Sequence, residues 1–167
     1  MLSKLVILRG PSGSGKSTIA HELARRSSRP TLVISQDTFR KMCTDHELKP
    51  LALHRRLAMQ AIALGLEDGY DVIFHGILNA KKYDDQFEAF KRRYETYFFY
   101  LEVSFEESVR RHQMRPKRDL FTSEKMREWW AASWPTGYTE EVIIPEESSI
   151  EESVKLIDET AELKLNK

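Results

Sequence analysis

The most constraining feature of the sequence is the glycine-rich stretch GPSGSGKS at residues 10–17, which comes shortly after the apolar run KLVIL at residues 4–8. The apolar run predicts a buried β-strand, and the residues from Ser17 onward, STIAHELARR, predict a helix. The glycines allow successive backbone N–H groups to turn inward on a phosphate, and the positive end of the helix adds to this attraction. A strand, this loop and a helix in that order match the complete Walker A pattern.

The Walker A pattern assigns a role to its side chains. Lys16 is expected to reach the β- and γ-phosphates of a nucleotide, and Ser17 is expected to bind Mg²⁺. The residues predicted to surround the phosphates are Gly10, Pro11, Ser12, Gly13, Ser14, Gly15, Lys16, Ser17 and Thr18. Guanine-specific proteins carry an Asn-Lys-x-Asp string, whereas NAKK at residues 79–82 lacks the aspartate. ATP is therefore the expected nucleotide.

Short apolar runs alternate along the chain with segments of helical periodicity. The runs predicted as strands are residues 4–8, 31–35, 71–76, 97–103 and 141–145. They are nearly continuous in apolar character, as expected for strands that are buried on both faces of a parallel sheet. The alternation predicts an α/β fold of the three-layer P-loop NTPase type, with about five parallel strands and helices on both faces of the sheet.

The domain organisation follows from the length and from one interruption of this alternation. A chain of 167 residues fits one domain, predicted to span residues 1–167. Residues 110–137 hold no strand-like run, which is typical of a mobile lid inserted into an α/β fold. Capping boxes are predicted at two helix starts, Ser104 with Glu107 and Ser149 with Glu152.

The charge balance and the cysteine content narrow the classes of function. Lys plus Arg number 26 and Asp plus Glu number 26, so the chain lacks the basic excess of most nucleic-acid-binding proteins. Extended nucleic acid is therefore not an expected partner. The single cysteine, Cys43, forms no internal disulfide, as is usual in a reducing cytosol. Because no apolar stretch approaches the roughly 18 residues of a membrane span, we expect a cytoplasmic protein that does not enter membranes.

The stretch VISQDTFRK at residues 33–41 holds a second candidate group. Asp37 comes just after the second predicted strand, at the carboxyl edge of the sheet where α/β proteins bind ligands. Its carboxylate could accept the proton of an acceptor hydroxyl, and it could also help to hold the metal ion. Arg40 is placed to orient that carboxylate or to bind an anionic acceptor. The alternative is that Asp37 only caps a short helix.

The third candidate group is the basic run RRHQMRPKR at residues 110–118. Phosphoryl transfer needs positive charge at the γ-phosphate as its bond breaks, preferably from a part of the protein that closes over it. Arg111 and Arg115 are four residues apart, so they share one face if the helix continues. These two arginines are the predicted catalytic cations, and a solvated charged surface is the alternative interpretation.

Taken together, the Walker A loop, Asp-x-x-Arg after the second strand and an arginine-rich lid resemble the small P-loop kinases. More narrowly, they resemble the branch that contains polynucleotide 5′-kinases, zeta-toxin-type kinases and chloramphenicol phosphotransferase. The resemblance implies ATP and Mg²⁺ at residues 10–18 and a general base at Asp37. It also implies that Arg40 lies near the acceptor and that Arg111 or Arg115 is the lid arginine.

The sequence departs from this resemblance at His75, in the string FHGIL. Relatives often carry an acidic residue there, and a histidine cannot serve as a carboxylate on the metal side. Either Asp37 fills that role alone or the acceptor differs, and His75 is then a candidate acceptor-binding residue. The other interpretation is a satisfied histidine at the end of a strand.

A cluster of three tryptophans lies in the predicted lid, at Trp129, Trp130 and Trp134. The rings could stack on a planar acceptor, although packing of the lid against the body of the domain is the favoured interpretation. Pro145, Ser148 and Ser149 lie between the last strand and the last helix, where the resemblance places contacts to adenine.

The leading hypothesis is an ATP-dependent phosphotransferase that moves the γ-phosphate to a hydroxyl of a small-molecule or nucleotide acceptor. Two alternatives stay open at this point, a polynucleotide 5′-kinase and an ATP-binding regulatory NTPase without an acceptor. The sequence does not identify the acceptor, and it fits a monomer as well as a homodimer.

Overall fold

The structure is a computed structural model that describes residues 2–43, 53–79, 82–114, 126–128, 130 and 140–166. Its strands are β1 (Lys4–Arg9), β2 (Thr31–Ser35), β3 (Asp71–Gly76), β4 (Glu95–Leu101) and β5 (Glu141–Ile144). Its helices are α1 (Lys16–Arg26), α2 (Gln36–Met42), α3 (Leu53–Glu67), α4 (Asp84–Lys91), α5 (Phe105–Gln113) and α6 (Ile150–Ala161).

The strands form one five-stranded sheet in the order β2-β3-β1-β4-β5, and every neighbouring pair is parallel. In a parallel sheet the carboxyl ends of all strands meet at one edge, where ligands of α/β proteins bind. The register pairs His75 with Leu8 on β1 and with Ser35 on β2. The glycine-rich loop follows β1, Asp37 follows β2, and His75 lies at the end of β3, so all three are at the same edge of the sheet.

The central strand β1 is buried on both faces, as its apolar sequence predicts. Leu5 and Ile7 pack into one hydrophobic cluster with α3 and α4. Val6 and Leu8 point to the opposite face and pack with α1 and α6. All four side chains are at most 1% exposed, and full burial of such a side chain contributes about 1.5–3 kcal/mol. The predicted three-layer α/β fold is confirmed.

Some predicted boundaries are corrected by the structure. Strand β4 begins at Glu95 and ends at Leu101, whereas residues 97–103 were expected, because the chain leaves the sheet to reach the N-cap of α5 at Ser104. Residues 110–113, the first of the predicted lid, are the last turn of α5. Arg115 and most of the predicted lid lie outside the described residues.

A buried ion pair lies beneath the carboxyl edge of the sheet and was not predicted. Arg9 is fully buried, and its Nη1 donates to Glu141 Oε1 on β5 at 2.5 Å. Its Nε and Nη2 donate to the carbonyl of Leu78 at 3.0 and 2.9 Å. The guanidinium also lies 5.6 Å from the ring centroid of Tyr100. Arg9 thus ties the end of β1 to the edge strand β5 and to the segment that follows β3.

Candidate active site

The glycine-rich loop connects β1 to α1 and has a backbone that only glycine adopts readily. Gly10, Gly13 and Gly15 have φ values of 143°, 85° and 96°, in the region that L side chains rarely occupy. A Cβ at Gly10 would also lie 2.6 Å from the carbonyl oxygen of Leu101. The loop is therefore held in its turn by its glycines, at the positive N-terminal end of α1.

Lys16 begins α1 and folds back over this loop. Its Nζ donates to the carbonyl of Pro11 at 2.6 Å and to Ser14 Oγ at 3.1 Å, and the residue is buried. The ammonium group is thus fixed inside the loop. Ser17 and Thr18 follow on the first turn of α1 and are exposed, so their hydroxyls are accessible from the open side of the loop.

Helix α5 supports the loop from the other side. Ser108 Oγ donates to the carbonyl of Ser12 at 2.5 Å. Gly13 lies against the same helix, because a Cβ there would be 3.1 Å from the carbonyl oxygen of Ser108 and 3.6 Å from the Cβ of Arg111. The loop therefore depends on close contact with α5.

Gly13→Ala should weaken the binding of Mg·ATP by about tenfold, because a strained φ costs about 1–2 kcal/mol and the new methyl group pushes the loop from α5. Gly69→Ala is the matched control, since Gly69 has φ 86° at the end of α3 with nothing within 4 Å of a Cβ. That variant should lose stability without losing affinity. Isothermal titration calorimetry gives both Kd values, and equal affinities in the two variants would contradict the expectation.

A cavity of about 450 Å³ opens beside the loop, between α5 and the turn that joins β5 to α6. Its lining includes Gly13, Gly15 and Thr18 of the loop region and Arg111 of α5. Pro145, Ser148 and Ser149, which the sequence pointed to as adenine contacts, line the opposite wall. The volume lies in the usual range of ligand pockets, about 300–1,000 Å³, so the cavity has room for a nucleoside next to the phosphate loop.

Four residues, of which Arg111 and Glu146 line this cavity, form a closed hydrogen-bonded ring. Ser104 donates from its backbone N–H and its Oγ to Glu146 Oε2, at 2.8 and 2.9 Å. Arg111 Nη2 donates to the carbonyl of Glu146 at 2.9 Å, and its Nε donates to Glu107 Oε1 at 2.6 Å. The backbone N–H of Glu107 closes the ring on Ser104 Oγ at 3.3 Å. The ring joins α5 to the β5–α6 turn.

This ring corrects the capping box predicted at Ser104. The serine caps α5 through the N–H of Glu107, but Glu146 and not Glu107 accepts from the serine N–H. The carboxylate of Glu107 is engaged instead by Arg110 and Arg111, whose hydrogen bonds lower its pKa to about 2. The box predicted at Ser149 and Glu152 is complete.

Arg111, one of the two predicted catalytic cations, lies on α5 at the rim of the cavity. Its guanidinium is held by Glu107 and the Glu146 carbonyl, and its Cβ lies close to Gly13. The structure thus places a fixed arginine beside the loop. Arg115, the other predicted cation, lies outside the described residues.

Asp37 and Arg40 lie on the opposite side of the loop, on the short helix α2. Asp37 is in the first turn, directly after β2, and both side chains are exposed. Neither makes a hydrogen bond or ion pair with any residue in the part of the chain that the structure describes. Carboxylate and guanidinium are therefore both available to a ligand at the carboxyl edge of the sheet.

His75 is the central group between the two sides. It is 4% exposed. Burial is the main cause that lowers its pKa to about 4, and the positive charges of Lys16 and His21 lower it further. The carboxylate of Asp37 has the opposite effect and raises the pKa of His75. His75 is therefore neutral at neutral pH, and it lies within electrostatic reach of both the loop lysine and the candidate base.

The low pKa of His75 predicts acid-sensitive stability. Between pH values of about 6.5 and 4 the unfolded chain binds a proton that the native ring does not bind. The free energy of unfolding should thus be undiminished above pH 6.5 and fall as the pH drops through this window, by up to about 3 kcal/mol. Urea unfolding at a series of pH values measures the change, and in His75→Gln the free energy of unfolding should fall less between pH 6.5 and 4. Equal dependence of this free energy on pH in the two proteins would contradict the assignment.

Three residues in and near α2 were not predicted from the sequence. Gln36 Nε2 donates to the hydroxyl of Tyr83 at 2.9 Å, and the Arg55 guanidinium lies 5.9 Å from the Tyr83 ring centroid. Burial raises the pKa of Tyr83 to about 12. No motif marks these residues, because they are brought together only by the packing of α2, α3 and the start of α4.

Of the three tryptophans in the predicted lid, only Trp130 belongs to the described residues. Its Nε1 donates to the carbonyl of Val103 at 2.8 Å, and its ring meets Phe105 edge to face at 6.2 Å between centroids. Trp130 therefore packs against the start of α5, as the favoured interpretation expected. Trp129 and Trp134 lie outside the described residues.

The described residues contain no helix long and apolar enough to cross a membrane. In the same residues no three His, Cys, Asp or Glu side chains come together as a metal site made by protein alone. Magnesium is often bound by one carboxylate together with substrate phosphates and waters, and the exposed Ser17 and Asp37 offer suitable oxygen atoms.

Comparison with known proteins gives one matching family model, which covers more than half of the chain. A family model described as AAA domain matches residues 5–134. No curated protein matches the sequence.

Solved structures share the fold at low sequence identity. The APS kinase CysC of Mycobacterium tuberculosis, solved with AMPPNP and APS, has a TM-score of 0.79 and 15% identity over 96% of this chain and 98% of its own. A gluconokinase of Sinorhizobium meliloti has a TM-score of 0.67 and 21% identity over 96% and 94%. A chain of the Pnkp1/Rnl/Hen1 RNA repair complex has a TM-score of 0.65 and 22% identity over 78% of this chain and 44% of its own. This chain therefore spans less than half of that one. These similarities confirm the predicted P-loop NTPase fold.

Proposed function

The chain belongs to the AAA domain family, and we propose that it transfers the γ-phosphate of ATP to a hydroxyl of a small-molecule or nucleotide acceptor. The observation that carries this proposal is the carboxylate of Asp37. It is exposed at the carboxyl edge of the sheet, the edge that also carries the phosphate loop, with no partner among the described residues. A carboxylate in that position can take a hydroxyl proton, which a domain that only binds nucleotide does not need.

The nucleotide side of the site is the loop together with the adjoining cavity. Residues 10–18 bind the phosphates, and Lys16 lies within the loop to meet the β- and γ-phosphates. The adenosine occupies the cavity near Pro145, Ser148 and Ser149. Arg111, fixed at the rim of the same cavity, supplies positive charge to the transferred group, a role for which Arg115 is the alternative.

Magnesium would be held by Ser17 and Asp37, whose oxygen atoms fit the preference of this ion. When bound, Mg²⁺ neutralises negative charge on the β- and γ-phosphates. The hydroxyl of Ser17 is exposed on the first turn of α1, and Asp37 is exposed on the first turn of α2. Both turns follow strands that end at the same edge of the sheet.

On the acceptor side, Asp37 holds and deprotonates the reacting hydroxyl. The hydroxyl oxygen forms the new bond to the γ-phosphorus, the bond from that phosphorus to the β–γ bridging oxygen breaks, and ADP leaves. Arg40 is exposed three residues after Asp37 and binds an anionic part of the acceptor or orients Asp37. His75 contacts the acceptor from the strand end between Lys16 and Asp37.

The test is ADP release from Mg·ATP, screened over nucleosides, sugars, nucleotide-sugars, polyhydroxy acids and a 5′-hydroxyl oligonucleotide. At least one small acceptor should raise the rate well above the rate of hydrolysis without acceptor. Lys16→Met should lose this stimulation, because it removes the cation fixed in the loop. An acceptor-independent rate across the panel would favour the regulatory NTPase. Salt-sensitive stimulation by the oligonucleotide alone would favour the polynucleotide 5′-kinase.

A further inference from the structure

The ring of His75 is a buried polar group whose hydrogen bonds are not made within the described protein. The residue is 96% buried, as its 4% exposure shows, and its ring has no hydrogen bond to any described residue. Because no protein group satisfies the ring, a ligand that reaches its nitrogens can supply hydrogen bonds that the described protein does not make.

The ring nitrogens face the open edge of the site. Among the described residues every fully enclosed side-chain nitrogen or oxygen has a hydrogen-bond partner. Because the His75 ring has none, its nitrogens must be the atoms that keep the small accessible surface of this residue. His75 is the next-to-last residue of β3, and the charges of Lys16 and Asp37 both act on its ring. The accessible nitrogens therefore lie between the phosphate loop and the candidate base.

The surroundings of the ring select the kind of group that it binds. Phosphate oxygens are served by Lys16 and by the backbone of the loop, and they can satisfy only the N–H of a neutral ring, because they have no proton to donate to the other nitrogen. Magnesium prefers oxygen ligands to imidazole. A hydroxyl is the neutral group that can donate to an unprotonated ring nitrogen and can also accept from a ring N–H. The ring is thus suited to a substrate hydroxyl.

Resting on the phosphate transfer proposed above, we propose that the acceptor carries two neighbouring hydroxyl groups, one deprotonated by Asp37 and the other hydrogen-bonded by His75. Ser35 is the register partner of His75, and Asp37 comes two residues after Ser35. Ser35 and His75 are on neighbouring strands, whose backbones lie about 4.8 Å apart. Asp37 and His75 are therefore at adjacent strand ends, where one small polyhydroxy molecule can approach both. The substrate class is therefore a vicinal diol, as found in sugars, ribonucleosides and polyhydroxy acids.

The first test compares matched acceptors that differ by one hydroxyl. The pairs are methyl ribofuranoside with its 2-deoxy analogue, uridine with 2′-deoxyuridine and glycerate with 3-hydroxypropanoate, each assayed by ADP release with Mg·ATP. The second compound of each pair lacks one hydroxyl and has no vicinal diol. The diol should be preferred in kcat/KM by about 100-fold or more in a productive pair, because the deoxy compound leaves His75 without its partner. Equal use of the diol and the deoxy compound would overturn the proposal.

Variants at position 75 connect this preference to the ring. His75→Phe should abolish the preference, mainly through a higher KM for the diol, with the KM for ATP unchanged. His75→Gln retains one donor and one acceptor and should restore part of the preference. His21→Gln is the matched control, since His21 is an exposed histidine on α1 near the same site, and it should keep the preference. A preference that survives in His75→Phe would contradict the role of the ring.

A binding measurement separates this proposal from the proposed function. The ¹⁵N signals of the His75 ring, assigned by their loss in His75→Gln, are followed in the presence of Mg·AMPPNP. The diols should shift these signals and the deoxy compounds should not. This result would support the diol site even if no compound stimulated ADP release and the proposal of phosphate transfer failed. A shift completed by Mg·AMPPNP alone, or no shift with any probe, would overturn the diol site.

Discussion

Replacement of Asp37 by asparagine should lower the kcat of acceptor-dependent ADP release by about 10²–10⁴-fold, the usual contribution of a general base. The Kd of Mg·ATP should change far less than kcat, because asparagine keeps one oxygen for Mg²⁺, Ser17 and the phosphates still hold the ion, and Lys16 with the loop holds the phosphates. Initial rates of ADP release at saturating acceptor and Mg·ATP give kcat, and isothermal titration calorimetry gives the Kd of Mg·ATP.

Asp85→Asn is the matched control for this variant. Asp85 is also an exposed aspartate in the first turn of a short helix, α4. It should lose only the small stabilisation of an acidic residue at a helix N-terminus, about 0.3–1 kcal/mol, and keep full activity. A variant Asp37→Asn that retained most of its rate would refute the assignment of the general base.

Replacement of Arg9 by methionine should lower the free energy of unfolding by about 3–5 kcal/mol, the usual cost of breaking a buried ion pair. The variant leaves the carboxylate of Glu141 buried without its guanidinium, and it removes both donors to the Leu78 carbonyl. Urea unfolding followed by circular dichroism measures the change.

The double variant Arg9→Met/Glu141→Leu separates lost charge pairing from lost packing. It should recover a large part of the loss, because no unpaired charge is then buried. Lys155→Met is the surface control. Lys155 is 3.7 Å from Glu159 on the exposed face of α6, so its loss should cost at most about 1 kcal/mol. If Arg9→Met lowered the free energy of unfolding no more than Lys155→Met, the buried ion pair would not be important for stability.

The parts of the fold that depend on local pattern were predictable from the sequence. Apolar runs of strand length and the glycine-rich loop are each encoded within a few residues, and the structure reproduces five strands in a parallel sheet. The positions of Asp37 and His75 at the edge of the sheet also followed, because each comes at or just after the end of an apolar run. Their roles in binding stay predictions.

The contacts that depend on distant parts of the chain were not predictable. Glu146 takes the place of Glu107 at the Ser104 N–H although it lies 42 residues away, and a local motif carries no information on such a competitor. The burial of Arg9 against Glu141 joins residues 132 positions apart. The unpartnered burial of His75 likewise depends on how three strands and α1 enclose it.

The most direct measurement is the fate of the γ-phosphate of ATP labelled at that group, followed with the accepted diol. We expect label on the acceptor in an amount equal to the ADP formed, and we expect Asp37→Asn to form neither product at a comparable rate. Label found only in inorganic phosphate, in the same amount with and without acceptor, would contradict phosphate transfer.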